Sequence, residues 1–271
     1  MEKYGKYDRP VRCGDGVFWV GFRDENTNLF CNPYLIIEDE QAVLIDGGSR
    51  TDFAVVMMKI LQAGIDPRQI IALIYQHYDP DLCGSMPSFI DMCGNRGLKV
   101  LSDRTNNLFI SYYIHRKKSH LLHSIDEENY QFTFKNRTLT FMPTPYAHSQ
   151  GSFVTYDEKT KTLFTSDLFG SYSTQWDLFL ELEAACFTCN DYDNCPNRKT
   201  YCPFPDMIDF HKSVMPCEKA LSYAMAKIRE LDADTIAPQH GSILTKKRDI
   251  RFISETLESL KGIGIDGISQ S

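Results

Sequence analysis

The chain has 271 residues, 42% apolar and 24% charged, which is ordinary for a globular protein and enough for one large α/β domain with a buried core. Its formal charge of -7 argues against a nucleic-acid partner, which selects for a basic face. No stretch approaches the roughly 20 apolar residues that span a bilayer, and the polar start over 1–8 has no apolar segment of the signal-peptide kind, so a cytoplasmic location is expected.

In chain order, 17–20, 34–37 and 42–45 are short apolar runs bounded by Gly, Asn or acidic residues, which predicts three strands. The last ends at Asp46-Gly47-Gly48, a turn signal. Thr51 reads as the cap of a helix through about Leu61, with Phe53, Val56, Met57 and Ile60 on one face. Residues 70–75 form a fully apolar strand running into His77, and helix is expected between about 83 and 102. More strands are predicted at 131–134, 137–142, 152–156 and 162–166, the last two joined by a turn at Asp157-Glu158-Lys159. A helix over about 215–231, a strand at 235–237 and a final helix over 246–260 complete the pattern. This order suits two sheets packed face to face with helices outside.

Four segments with metal-binding side chains share one design, since each follows an apolar strand. They are His77-Tyr78-Asp79-Pro80-Asp81, His148 in Tyr146-Ala147-His148-Ser149, Asp167 after Leu163-Phe164-Thr165-Ser166, and His240 in Ala237-Pro238-Gln239-His240-Gly241. Strand ends project side chains from a rigid scaffold, and metal ligands need that rigidity. Alone, the His-x-Asp-x-Asp triplet reads equally well as a polar loop with a cap aspartate. Four such segments together are far more specific.

The set resembles the metallo-β-lactamase superfamily, whose first motif is usually His-x-His-x-Asp-His. It is more similar to the flavodiiron proteins and their shorter relatives, the oxygen-binding diiron proteins, which place a carboxylate where Asp79 stands. The likeness extends through Asn32-Pro33-Tyr34-Leu35-Ile36-Ile37, Leu44-Ile45-Asp46, Thr155-Tyr156-Asp157 and Thr165 to Gly170, and fits poorly only over 171–210. It implies one domain over 1–271, a metallo-β-lactamase-like αββα sandwich of two mixed sheets flanked by helices, with a Cys-rich insertion at about 183–205. Carried over residue by residue, His77, Asp79 and His148 bind one metal, Asp81 and His240 the other, and Asp167 bridges both. Leu82 stands where the common motif has a histidine, which implies either an open coordination position or a weakly held second metal.

Three carboxylates with three imidazoles form a harder set than a histidine-rich zinc site, so two iron ions are expected, with zinc as the alternative. The resemblance implies a protein that binds dioxygen, passing from diferrous to diferric-peroxo, as a sensor or carrier with a homodimeric assembly and a signalling partner. A second reading is a diiron oxidoreductase that reduces O2 or NO with a rubredoxin-like electron donor. A third is a dinuclear zinc hydrolase, and a fourth is a degenerate site kept for binding. About 30 residues follow His240, so no flavin is expected in this chain.

Nine cysteines in a reducing compartment are expected as thiols or metal ligands. Cys186-x2-Cys189-x5-Cys195-x6-Cys202 resembles a zinc or iron–sulfur ligand set, against a plain loop of reduced thiols. Cys13, Cys31, Cys83, Cys93 and Cys217 read as small buried residues. His115, His120 and His123 read as a basic solvated helix face, and His211 as a residue near the site without a required role. Tyr78 and Tyr146, beside proposed ligands, are candidate donors to bound oxygen or packing residues.

Overall fold

The computed structural model describes residues 7–22, 31–172, 177–189, 195 and 202–268. Its first sheet holds β1 (Val11–Gly14), β2 (Val17–Trp19), β3 (Tyr34–Glu38), β4 (Gln41–Ile45), β5 (Ile70–Ile74), β6 (Lys99–Ser102) and β7 (Leu122–Ser124), side by side in that order. The β1 to β4 pairings are antiparallel, and those from β4 to β7 are parallel. The second sheet holds β8 (Gln131–Phe134), β9 (Arg137–Pro143), β10 (Phe153–Asp157), β11 (Thr162–Phe164), β12 (Phe179–Leu180), β13 (Thr235–Ala237) and β14 (Ile243–Leu244). Its order is β12-β14-β13-β11-β10-β9-β8, with β11 and β13 parallel.

Side chains alternate across each strand, and here both faces are apolar, so each sheet must be covered twice. Tyr34, Ile36, Val43, Ile45, Ala72 and Ile74 face inward and meet Phe141, Phe153 and Phe164 of the second sheet. Leu35, Leu44 and Leu73 face outward onto α1 (Phe53–Gln62) and α3 (Met86–Cys93). Val154, Leu163 and Ile236 pack outward against α5 (Phe204–Val214), α6 (Glu218–Arg229) and α7 (Lys247–Glu258), numbered with α2 (Pro80–Cys83) and α4 (Arg104–Ile110) in chain order. The result is the expected αββα sandwich of two mixed sheets. Each fully buried side chain of this size contributes about 1.5–3 kcal/mol. Among the described residues, no helix is long and apolar enough to cross a membrane.

Several local expectations need correction. The span 83–102 is not one helix, because Gly94 turns left-handed (φ 53°) and ends α3, after which β6 begins. Asp52, not Thr51, precedes α1. The helix expected from 215 begins at Glu218, and α5 was not foreseen. Residues 116–121 form a 3-10 turn leading into β7, so the three histidines there share no helix face. Cys31, Cys83 and Cys93 are buried as expected, whereas Cys13 and Cys217 are only half-buried.

Candidate metal centre

The strand ends bring all six expected side chains together. His77 follows β5, Asp79 and Asp81 flank Pro80 at the start of α2, His148 follows β9, Asp167 follows β11 and His240 follows β13. Asp167 sits between two groups. Its Oδ2 lies 3.0 Å from His148 Nε2 and 3.9 Å from His77 Nε2, and Asp79 Oδ2 lies 3.3 Å from the same His148 nitrogen. Its Oδ1 lies 3.5 Å from His240 Nε2, which is 3.2 Å from Asp81 Oδ2. His77, Asp167 and His240 are buried, whereas Asp79 keeps 35% of its side chain exposed and opens the site to one side. Asp81 also borders a cleft of about 620 Å³ that reaches Arg50, Pro87 and Tyr113.

Residues bonded to two of these six, and to the segments beside them, fix their orientation. The Ser166 hydroxyl lies 2.9 Å from His77 Nδ1, and the Gln239 side-chain amide donates to Asp81 Oδ2 at 2.9 Å. Gln76 donates its backbone and side-chain N–H groups to Asp46, each at 3.2 Å. Asn32 binds the carbonyls on both sides of His240, donating to Pro238 at 3.1 Å and Gly241 at 2.9 Å. His211 is fully buried and accepts the Phe169 backbone N–H at 3.1 Å, holding the turn after Asp167. Of these, Asn32 entered the sequence reading only within a resembling motif. A polar residue directly before a ligand, as in Gln76-His77, Ser166-Asp167 and Gln239-His240, was the available signal.

Burial lowers the His77 and His148 pKa values, which keeps their imidazoles neutral and able to donate a lone pair. Burial also raises Asp79 and Asp167. At Asp81, burial acts in the same direction, but the hydrogen bond and charge of His240 win and hold it at about 2. Asp46 is pushed up to about 7 by burial against the two bonds from Gln76, with the charges of Asp81 and Asp167 adding to the rise.

Asp167 Oδ1 is buried without a hydrogen-bond partner. A buried carboxylate oxygen left that way is costly, and a cation between it and the facing nitrogens removes the cost. The donor set therefore fits bound metal: one ligand atom each from His77, His148 and Asp167 lies within 4.8 Å of the others, as does one each from His77, Asp79 and Asp81. Leu82 is fully buried in the apolar cluster under α1 and α3, with Cys83 and Met86. Tyr78 stacks on Phe109 with ring centroids 4.4 Å apart, and Tyr146 is exposed. Among the described residues, neither tyrosine hydroxyl hydrogen-bonds to any of the six. Cys186, Cys189, Cys195 and Cys202 are all half-buried, and none is in a disulfide.

Comparison with known proteins places this geometry in a family. The chain is 24% identical over 261 residues to a nitric oxide reductase of Moorella thermoacetica, covering 88% of this chain and 58% of the relative. It therefore spans little more than half the length of that relative. Its fold is similar to the peroxy diiron species of the chemotaxis sensor ODP, at a TM-score of 0.71 and 21% identity over 94% of each chain. It is also similar to the rubredoxin oxygen:oxidoreductase of Desulfovibrio gigas, at a TM-score of 0.70 and 20% identity over 92% of this chain and 61% of that one. The family model described as "ODP family beta lactamase" matches residues 29–241, so the chain belongs to the ODP family of β-lactamase-fold proteins.

Proposed function

We propose that His77, Asp79, His148, Asp167, Asp81 and His240 hold two iron ions and that the protein binds dioxygen there, as a sensor or carrier. The observation that carries this reading is the split of the Asp167 carboxylate, with Oδ2 toward His77, His148 and Asp79 and Oδ1, unpartnered, toward His240 and Asp81. The family supports iron, because one relative of similar length is described as a peroxy diiron species. Ligand chemistry supports it too, since nitrogen and oxygen donors with carboxylates suit iron, while zinc remains the competitor to test.

When bound, two ferrous ions supply the electrons that dioxygen binding takes up. The chain's own residues do the rest. Ser166 orients the His77 ring, Gln239 steadies Asp81, and Asn32 fixes the backbone on both sides of His240. Such outer partners hold ligands in register for the metal. The Phe210 ring, 5.8 Å from the His240 ring, supplies an apolar wall that limits water.

A second reading is reduction of O2 or NO with an electron donor such as a rubredoxin. Two matched relatives, a nitric oxide reductase and a rubredoxin oxygen:oxidoreductase, favour it. The homodimer implied by resemblance belongs to either reading.

The test is the visible spectrum of anaerobic, iron-loaded protein before and after oxygen is admitted. A new oxygen-dependent charge-transfer band that persists for minutes is the expected outcome. A band that decays quickly and then cycles only when reduced rubredoxin is present supports the reductase. Two zinc ions per chain as purified, and no iron-dependent change, would sink the diiron reading.

A further inference from the structure

We propose that Cys186, Cys189, Cys195 and Cys202 form a second metal site, which takes one thiophilic ion, zinc or iron, through its thiolates. This goes beyond the dioxygen reading and does not depend on it. None of the four is in a disulfide, and all are half-buried. Cys186, Phe187 and Cys202 pack against the apolar cluster between the second sheet and its helices.

Two separate stretches of chain are pinned to one ring. Phe187 meets Phe252 of α7 edge-on with ring centroids 4.9 Å apart, and Phe204 meets the same ring at 5.7 Å. The Arg248 guanidinium, also on α7, lies 4.4 Å from the Phe187 ring centre. This anchoring brings Cys186 and Cys189, which bracket Phe187, toward Cys202, two residues before Phe204. Burial raises the Cys202 thiol, and the charges of Cys195, Cys186 and Cys189 add to the rise, which puts all four within electrostatic reach.

As thiolates, four sulfurs gathered in this way repel one another. A divalent cation relieves that repulsion by replacing their protons, and soft sulfur donors select zinc or iron over the metals that oxygen ligands prefer. A Cys-x-x-Cys pair with two further cysteines is the donor count of a closed tetrahedral site. Cys31, Cys83 and Cys93, by contrast, are buried in the other helix layer. The site also bears on the fold. Helix α5 starts at Phe204 and carries Phe210 and His211 to the His240 ring and the Phe169 backbone, so an ion on Cys202 anchors that helix at its start.

The experiment is an anaerobic cobalt(II) titration of the reduced, metal-stripped full chain. The wild type is expected to develop a thiolate-to-cobalt charge-transfer band that saturates at one equivalent. The band is expected to vanish in C186S/C189S and in C202S and to persist in the C13S/C217S control. The His/Asp cluster has no thiolate and cannot produce that band. Zinc is expected to protect four thiols from iodoacetamide, counted by intact mass, and that measurement on wild type decides the matter if the serine variants fail to fold. Zinc in the protein as purified marks an ion that only anchors the fold, and an iron–thiolate visible spectrum marks a redox-active one; either supports the proposal. No thiolate band in wild type, a band unchanged in C186S/C189S, or no protection by zinc overturns it.

Discussion

The Ser166 hydroxyl and the Nδ1 atom of His77 lie 2.9 Å apart, joining the turn after β11 to the loop after β5. If Nδ1 carries the proton and donates it to Ser166, Nε2 keeps its lone pair toward Asp79 and Asp167. Ser166 has a left-handed backbone (φ 53°), so its side chain is aimed by the turn that also presents Asp167.

Ser166→Ala is therefore expected to weaken metal binding about 10–100-fold with little change in fold, the range for loss of a partner behind a ligand. Competition with a chelator, read by metal content per chain, checks this. Unchanged affinity would mean that the surrounding packing alone orients His77.

The six clustered side chains were legible because each stands at a strand end, and strand ends announce themselves as apolar runs that stop at a polar residue. What supports them was not. Ser166 and His77 are 89 positions apart, and Gln239 and Asp81 are 158 apart, so no local pattern reports those bonds. Helix α5 was missed because it begins at Phe204-Pro205 beside a Cys-rich stretch without clear periodicity, although Phe204, Met207, Phe210 and His211 form its buried face. The strand β6 was absorbed into a helix because Lys99-Val100-Leu101-Ser102 is too short to show alternation, although Gly94-Asn95 and Gly97 marked the break. Short edge strands such as β12, of two residues, are set by pairing and leave no sequence signal.

Arg137 ties the two sheets together while fully buried. Its Nε donates to Asp157 Oδ1 at 2.9 Å, its Nη2 to the Asp15 carbonyl at 2.9 Å, and its Nη1 lies 3.4 Å from Glu38 Oε2. Removing the guanidinium strands the Asp157 carboxylate in the interior, while Glu38 keeps its ion pair with Lys159. Arg137→Ala is expected to cost about 3–5 kcal/mol in urea unfolding. The R137M/D157L pair should recover part of that, because an apolar replacement leaves fewer charges unpaired. A single-variant cost below about 1 kcal/mol would contradict the account.

His211 gives the fold a pH dependence of known sign. Nε2 accepts from the Phe169 N–H, so Nδ1 carries the proton and donates to the Met207 carbonyl at 2.7 Å. Burial pushes the pKa down to about 4 from 6.5, with the Met207 bond opposing. Between those values the unfolded chain binds a proton that the folded chain refuses, so stability falls as pH drops from 6.5 toward 4 and levels off below. The full contribution is on the order of 3 kcal/mol. Urea midpoints of metal-free protein across that window should fall with acid, and His211→Gln should flatten the slope. The same slope in both proteins would assign the effect to other groups.

Asn32 belongs to the first sheet's side of the molecule yet controls a ligand loop on the second. Its side-chain oxygen accepts from Trp19 Nε1 at 2.9 Å, its amide nitrogen reaches the Pro238 and Gly241 carbonyls, and its backbone N–H donates to the Gln239 carbonyl at 2.7 Å. The Tyr34 hydroxyl adds a bond to Pro238 at 2.8 Å. Three residues of the His240 loop are thus held by one buried asparagine. Asn32→Ala removes one hydrogen bond each from the Pro238 and Gly241 carbonyls and the Trp19 N–H, at an expected cost of about 1–3 kcal/mol. If the loop is held as described, metal affinity falls as well, by about 10-fold or more, and the loss is confined to the ion beside His240 and Asp81. Metal content after graded chelation separates the two positions: in Asn32→Ala one ion per chain should leave early and the other should hold as in wild type. Loss of both ions together would show instead that the variant loosens the whole sandwich.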